Sequence, residues 1–327
     1  MRVAACLLLV VLACVAGGAR AHALPAWADG GHTAVVPVHE ASGEVERMEV
    51  TWFLPPGAGP FPVMLFSHGR DLSAANRASL AVGVSRAQLV FWLARGVAVV
   101  SPVRPGYGAS SGGDLEGTGV RVDDAGRCLG QADFGRSTVA ALHAVDATLR
   151  WLRGQPWAEP GQVMLVGQSV GGLASVAAGA YSPPGVVGVV NFAGGAGGNS
   201  ERAPGSSCAP EQLESLYADY GRSTTVPSLW VYALNDQFWG ADVPRAWHAA
   251  FARGGSPTTF VQTPALADGD GHGLSRHAPA LWAPAVDAFL ARLGGPWNAA
   301  DVPRPVLRLD AADACPSAGS TPCAAPR

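Results

Sequence analysis

Short runs of apolar, often β-branched residues recur along the chain, and Gly or Pro bounds each of them. Continuous rather than alternating hydrophobicity is typical of strands that are buried on both faces. Residues 46–53 instead alternate apolar and polar side chains, which predicts an antiparallel edge strand at the start of the sheet. We predict the buried strands at residues 62–67, 97–103, 163–167, 186–192, 228–234 and 258–263.

Helical periodicity fills several of the gaps between these runs. Five apolar residues mark one face of a predicted helix over residues 137–153: Val139, Leu142, Val145, Leu149 and Leu152. Further helices are predicted at residues 88–95, 243–253 and 278–293, with a short one near 211–220. Strands that alternate with helices indicate an α/β fold, in which helices cover both faces of a mostly parallel central sheet.

The two ends of the chain differ from this alternation. Arg2, the apolar run after it and an A-x-A site predict a signal peptide over residues 1–23, cleaved after Ala23 or Ala21. An uncleaved anchor is the alternative, and a lipoprotein anchor at Cys14 is a poorer match. One folded domain is then expected over residues 24–297, followed by a Pro/Ala-rich tail over 298–327. We expect a secreted or periplasmic protein without stable membrane insertion after cleavage.

The amino-acid composition excludes several catalytic mechanisms and one class of ligand for this domain. All 22 cationic side chains are Arg, which excludes a Schiff-base lysine, a Walker-type phosphate loop and a Ser–Lys dyad. The net charge of −3 gives no electrostatic basis for binding nucleic acid.

Cysteine usage fits an exported protein. Four cysteines remain after the predicted signal, which suggests two disulfides with three possible connectivities. Cys315 and Cys323 lie eight residues apart in the tail, which favours a local pair. Cys128 with Cys208 would then join two long Gly-rich loops. Zinc is the weaker alternative, because no C-x-x-C spacing is present.

Residues 167–171 read G-x-S-x-G around Ser169. In a chain with 42 glycines the bare pattern is weak, and residues 108–112 repeat it around Ser110. Ser169 directly follows a predicted buried strand and directly precedes a small-residue helix, which is the context of a nucleophile elbow. Ser110 has no helix after it. The sequence therefore predicts Ser169 as a nucleophile and Ser110 as a loop residue.

Three further segments accompany the elbow: F-S-H-G at 66–69, R-P-G-Y-G at 104–108 and N-D at 235–236. With these motifs, residues 51–293 resemble the α/β-hydrolase superfamily, in particular its secreted, dienelactone-hydrolase-like serine hydrolases. The resemblance implies an α/β-hydrolase fold and acyl transfer to the nucleophile. Dienelactone hydrolases proper use a cysteine nucleophile, so their lactone substrate is not carried over.

The elbow serine needs a base and an acid, which in this fold follow it in the order Ser, Asp or Glu, His. His272 lies in a glycine loop between the last strand and the last helix and is the predicted base. His277 is the alternative, and His248 fits a helix face. Asp236 follows a predicted strand and is the predicted acid, although an Asn-Asp turn would also explain it. Two loop carboxylates near His272 stay as alternatives, namely Asp268 and Asp270.

The oxyanion hole requires two backbone donors. One is expected at Val170, and the resemblance implies the other at Arg70, with His68 bracing its loop. Three aromatic residues are expected to form pocket walls: Tyr107, Phe238 and Trp239.

These residues predict an exported, monomeric serine hydrolase that cleaves small-molecule carboxylic esters without a cofactor or metal. A serine peptidase or amidase with the same triad is the first alternative. A non-catalytic binding protein on a hydrolase scaffold is the second.

Overall fold

In the computed structural model, which describes residues 25–267 and 269–298, the buried apolar runs form the centre of one eight-stranded sheet. A separate two-stranded hairpin lies between its fourth and fifth strands in the chain. The strands are β1 (His32–His39), β2 (Val45–Phe53), β3 (Phe61–Ser67), β4 (Ala98–Val103), β5 (Val120–Val122), β6 (Cys128–Gly130), β7 (Ala158–Gln168), β8 (Val186–Phe192), β9 (Ser228–Ala233) and β10 (Thr258–Thr263).

The sheet order is β1-β2-β4-β3-β7-β8-β9-β10. Strand β2 is antiparallel to both of its neighbours, and every other pairing in this sheet is parallel. Every residue of β4 and β9 is buried, as a strand covered on both faces requires. The predicted α/β fold with a mostly parallel sheet is therefore confirmed.

The position of the first antiparallel strand differs from the prediction. Residues 46–53 do form an antiparallel strand, but β2 is the second strand and β1 is the edge. Strand β1 contains Pro37, which lacks a backbone donor and is tolerated in an edge strand. Residues 34–38 of β1 are apolar, but they include Pro37 and most residues of β1 are exposed or half-buried, so this edge strand was not predicted.

Helices cover both faces of the sheet. They are α1 (Ala74–Ala78), α2 (Arg86–Leu93), α3 (Phe134–Leu152), α4 (Val170–Ala180), α5 (Pro210–Ser223), α6 (Val243–Ala252), α7 (Leu274–His277) and α8 (Pro279–Leu293). One core packs the sheet against α3, α4, α5 and α6, and the other packs it against α2, α7 and α8. The predicted apolar face of α3 is correct except at Val139, whose side chain is 40% exposed.

A disulfide joins Cys128 in β6 to Cys208, which lies just before α5. This pairing was expected, and the structure confirms it. The bond ties the β5–β6 hairpin to the long loop that follows β8. Cys315 and Cys323 lie outside the described residues, as do the predicted signal peptide and residues 299–327 of the tail. None of the helices in the described part is long and apolar enough to cross a membrane.

Removing this disulfide by the double substitution Cys128→Ser and Cys208→Ser is expected to lower the free energy of unfolding by about 2–4 kcal/mol. The bond closes a loop with a sequence separation of 80 residues, so the unfolded chain gains much conformational freedom without it. Thermal melts with and without reductant measure the effect. Reductant should lower the melting temperature of the wild type and of Cys315→Ser/Cys323→Ser, and leave Cys128→Ser/Cys208→Ser nearly unchanged. Equal melting temperatures for the wild type and Cys128→Ser/Cys208→Ser would contradict the prediction.

Candidate active site

Ser169 lies on the sharp turn between β7 and α4. Its backbone has φ 58° and ψ −127°, a conformation that L-residues rarely adopt. The Ser169 N–H donates to the Phe192 carbonyl at 3.0 Å, and its carbonyl accepts from the N–H of Leu173, at 3.1 Å, and of Gly195, at 3.2 Å. These bonds hold the strained residue at the carboxyl end of the sheet, which is the geometry of a nucleophile elbow.

The glycines of the motif are required by close backbone contacts. A Cβ atom added to Gly167 would lie 2.0 Å from the Gly171 carbonyl oxygen. One added to Gly171 would lie 2.0 Å from the Ser67 carbonyl oxygen at the end of β3. The G-x-S-x-G spacing therefore lets the turn fold against the neighbouring strand without a side chain in between.

The second G-x-S-x-G match has a structural role. Ser110 lies in a loop, where its hydroxyl donates to the Val103 carbonyl and accepts from the Glu49 N–H at 2.8 Å. These bonds fasten the loop to β2 and β4. The prediction that Ser110 is a loop residue is confirmed.

Asp236 and His272 come from different loops and meet in a buried pair. Asp236 follows β9, His272 follows β10, and the His272 Nδ1–H donates to Asp236 Oδ2 at 3.0 Å. Asp236 Oδ1 lies 3.2 Å from the same nitrogen and accepts the backbone N–H groups of Phe238 at 2.8 Å and Trp239 at 3.1 Å. Asp236 is 1% exposed, so this carboxylate is fixed by protein donors rather than by water.

Two aromatic rings pack against the His272 ring, and a residue of the elbow binds the His272 backbone. The Phe238 ring centroid lies 4.1 Å from that of His272, and the Trp239 centroid lies 5.3 Å away. The Gln168 side-chain amide donates to the His272 carbonyl at 3.2 Å. Because Gln168 precedes Ser169, this bond brings the His272 loop to the elbow.

The alternative bases and acids occupy other positions. His248 lies on α6, where its ring packs against Trp230 of β9 and Phe260 of β10, and burial lowers its pKa to about 4. His277 is exposed on α7 and has no carboxylate partner within the described residues. Asp270 binds the backbone of His272 rather than its ring. Asp268 is outside the described residues.

The loop of residues 68–70 contacts the elbow directly. A Cβ on Gly69 would lie 2.6 Å from Gln168 Oε1 and 3.2 Å from Ser169 Cβ. The next residue, Arg70, has a backbone N–H that donates to no acceptor in the described part of the chain. Val170 is the first residue of α4, so its N–H also lacks an acceptor within the helix. Two unengaged donors thus lie beside Ser169.

A buried network of hydrogen bonds and one ion pair holds the loop of residues 68–70 in place. The Arg104 guanidinium pairs with Glu116 and donates to the carbonyls of His68 at 2.6 Å and Gly69 at 3.3 Å. The His68 Nδ1–H donates to the Gly69 carbonyl, and the His68 Nε2 accepts from the backbone N–H of Arg104. Burial lowers the pKa of His68 well below its usual value, and the Arg104 charge lowers it further. His68 is therefore a neutral structural ring.

A cavity of about 470 Å³ opens beside Ser169. Its lining includes Phe238 and Trp239, together with residues of β5, of the loop after β3 and of the loop after β8. Tyr107 does not line this cavity but a smaller one of about 150 Å³, together with Gln168, so its role as a substrate-pocket wall stays a prediction. It is buried beneath the 68–70 loop, with its hydroxyl donating to Glu116 at 3.0 Å. The lining comprises Arg70, Leu72, Ser73, Thr118, Val120, Arg121, Val122, Ser169, Val170, Ala196, Gly197, Gly198, Asn199, Glu201, Arg202, Phe238 and Trp239.

The Arg70 side chain is held at the cavity by an ion pair with Asp114, whose nearest oxygen lies 2.6 Å away. The charge of Arg70 is therefore already paired within the protein. In the described part of the chain, no group of three His, Cys, Asp or Glu side chains could hold a metal ion.

A family model described as X-Pro dipeptidyl-peptidase (S15 family) matches residues 43–228, which is more than half of the chain. The chain belongs to the S15 family. The matched part of this S15 chain includes Ser169 and ends before Asp236 and His272. No protein with a curated functional description matches the chain in sequence.

Solved structures share the fold of this S15 protein at low sequence identity. An esterase of Pyrococcus furiosus superposes with a TM-score of 0.51 and 13% identity, over 81% of this chain and 91% of its own. Est1E from Butyrivibrio proteoclasticus gives 0.50 and 15%, over 80% and 98%. An acylaminoacyl peptidase of Pyrococcus horikoshii gives 0.53 and 15%, over 80% of this chain but only 41% of its own. The family match together with this shared fold makes the protein an α/β-hydrolase of the serine type, and the predicted resemblance to that superfamily is confirmed.

Proposed function

We propose that this protein is an exported serine hydrolase that cleaves carboxylic esters through an acyl-enzyme intermediate on Ser169. The observation that carries the proposal is the buried Asp236–His272 pair, held at 3.0 Å, with the His272 loop bonded to the strained Ser169 turn through Gln168. The Cys128–Cys208 disulfide supports export, because disulfides persist in oxidising compartments.

In this mechanism the Ser169 hydroxyl attacks the ester carbonyl while His272 takes its proton. The negative charge that develops on the carbonyl oxygen is stabilised by the N–H groups of Val170 and Arg70. His272 then gives its proton to the departing alkoxide, which leaves as an alcohol. Water attacks the acyl-enzyme with His272 again as base, the bond to Ser169 breaks, His272 returns the proton to the Ser169 oxygen, and the acid is released. Asp236 keeps the His272 proton on Nδ1 and stabilises the imidazolium.

A second candidate function is hydrolysis of peptides after an X-Pro dipeptide, which the description of the matching family favours. Such a substrate presents a free ammonium group, and a carboxylate near the nucleophile is its natural partner. Glu201 is the acidic residue among those that line the Ser169 cavity. Ester cleavage needs no such partner, since neither the alcohol part nor the acyl part of an ester substrate has to carry a charge.

Labelling with a fluorophosphonate probe tests the nucleophile. We expect the wild-type protein to be labelled on the peptide that contains Ser169, and Ser169→Ala to lose both labelling and hydrolysis, with kcat falling by about 10⁶-fold. Ser110→Ala provides the matched serine control and should be labelled normally. Labelling at any other residue, or none on the wild type, would overturn the proposal.

Paired substrates separate the two candidate functions. We expect p-nitrophenyl acetate, butyrate and octanoate to be cleaved with higher kcat/KM than Gly-Pro-p-nitroanilide. If the anilide is the better substrate and Glu201→Gln raises its KM without changing ester cleavage, the peptidase function is the correct one.

A further inference from the structure

The candidate acid and base lie on separate loops, and a set of hydrogen bonds connects those loops. The turn after β9 contains Asp236, and the loop after β10 contains His272. Asn235 makes the outer connections: its Oδ1 accepts the Leu266 N–H at 3.0 Å, and its amide donates to the carbonyls of Leu266 and Gly269, each at 3.1 Å. The Asp236–His272 distance therefore depends on contacts outside the pair itself.

The connection closest to the pair is made by Asp270. Its Oδ1 accepts the backbone N–H of His272 at 2.8 Å and the backbone N–H of Gln237, the residue after the acid, also at 2.8 Å. One oxygen atom thus joins the backbone of the base to the backbone beside the acid. The Gly271 N–H adds a bond to the Asn235 carbonyl at 3.1 Å.

We propose that Asp270 is a positioning residue, whose Oδ1 sets the distance between Asp236 and His272. The proposal rests on the function proposed above, because the distance matters only if His272 acts on Ser169. Asp270 touches no reacting atom. It acts through the backbone, and its effect depends on the acceptor oxygen rather than on its charge.

No side chain is tolerated where the two loops meet, which supports this assignment. A Cβ on Gly271 would lie 2.6 Å from Asn235 Oδ1 and 2.8 Å from Ala233 Cβ. The loops are therefore in close contact on one side of the pair, and Asp270 fixes them on the side of Gln237. Without the Asp270 oxygen, the loop that carries His272 loses this restraint, and the distance between His272 and Asp236 is no longer fixed.

Two substitutions at this position separate geometry from charge. Asp270→Asn keeps an acceptor oxygen of the same reach, so kcat should stay within about threefold of the wild type. Asp270→Ala removes the acceptor, and a displacement of about 1 Å in a catalytic group can cost about 10²-fold in rate. We expect Asp270→Ala to lower kcat by roughly 10- to 100-fold with KM within twofold, since substrate contacts are unchanged.

Steady-state kinetics on a p-nitrophenyl ester, run well below the melting temperature of each variant, provide the test. Asp146→Ala, at an exposed aspartate on α3, is the matched control and should behave as the wild type. If Asp270→Ala does not fold, Asp270→Ser replaces it: serine can still cap the His272 N–H. Its shorter side chain does not reach Gln237, so the same loss of kcat is expected.

Three outcomes would overturn the proposal while leaving the proposed function intact. These are a kcat for Asp270→Ala within twofold of the wild type, an equal loss in Asp270→Asn, and a rise in KM with kcat unchanged. Fluorophosphonate labelling of the wild type keeps the two proposals apart. A wild-type protein that is neither labelled nor active refutes the proposed function, and with it the role of Asp270.

Discussion

Replacing Asp236 with asparagine is expected to lower kcat by about 10⁴-fold without unfolding the protein. The reason lies in the two backbone N–H groups, of Phe238 and Trp239, that donate to Asp236 Oδ1. They will hold the amide oxygen of an asparagine in the same place, so the amide nitrogen must face His272 Nδ1. His272 Nδ1 then has to accept a hydrogen bond from this amide nitrogen, and the ring proton moves to Nε2. A ring protonated on Nε2 cannot take the proton of Ser169.

The measurement is kcat on a p-nitrophenyl ester, with a thermal melt to show that Asp236→Asn remains folded. Asp270→Asn is the matched control, since it makes the same change two residues before His272 and should keep its activity. Activity of Asp236→Asn within tenfold of the wild type, together with an inactive Asp270→Asn, would mean that the acid had been assigned to the wrong residue.

The parts of the fold that the sequence predicts correctly are those where burial leaves a local pattern. Strands β4 and β9 are buried at every residue, so their apolar runs are continuous and easily found. The edge strand β1 was missed although residues 34–38 are apolar, because they include Pro37 and most of its side chains are not buried. The short β5–β6 hairpin has no apolar run and was missed as well. On α3, Val139 satisfies the helical period yet is exposed, because periodicity places a residue on a face without showing how far the neighbouring elements cover that face.

The same division applies to the candidate site. The elbow could be predicted because strand, turn and helix follow each other in the sequence around Ser169. Asp236 and His272 could be predicted from the chain order of the fold. The role of Asp270 could not, because its partners are backbone N–H groups, one of them 33 residues away, and backbone donors look alike in every sequence. The sequence also could not show which cavity Tyr107 lines, because an aromatic side chain in a Gly-rich loop fits a pocket wall and a buried layer equally well.

The Arg104–Glu116 ion pair was also not predicted, and it is expected to have the largest effect on stability. Both side chains are almost completely buried, at 1% and 4% exposure. Burial alone would lower the pKa of Arg104, but the adjacent Glu116 raises it above its ordinary value, so the guanidinium stays charged. Glu116 also accepts from the Tyr107 hydroxyl. Arg104 therefore depends on one carboxylate for the neutralisation of its charge.

Substituting Glu116 with alanine is expected to lower the free energy of unfolding by about 3–5 kcal/mol, since it leaves Arg104 buried without a counter-charge. The melting temperature should fall by about 10 °C. Activity should fall as well, because the same guanidinium holds the carbonyls of His68 and Gly69, on the loop that presents the Arg70 N–H. Asp146→Ala breaks an ion pair whose side chains are half exposed and should cost less than about 1 kcal/mol. Denaturant unfolding curves of both variants give the free energies of unfolding. Equal decreases in the two variants would show that burial does not increase the contribution of the Arg104–Glu116 pair to stability.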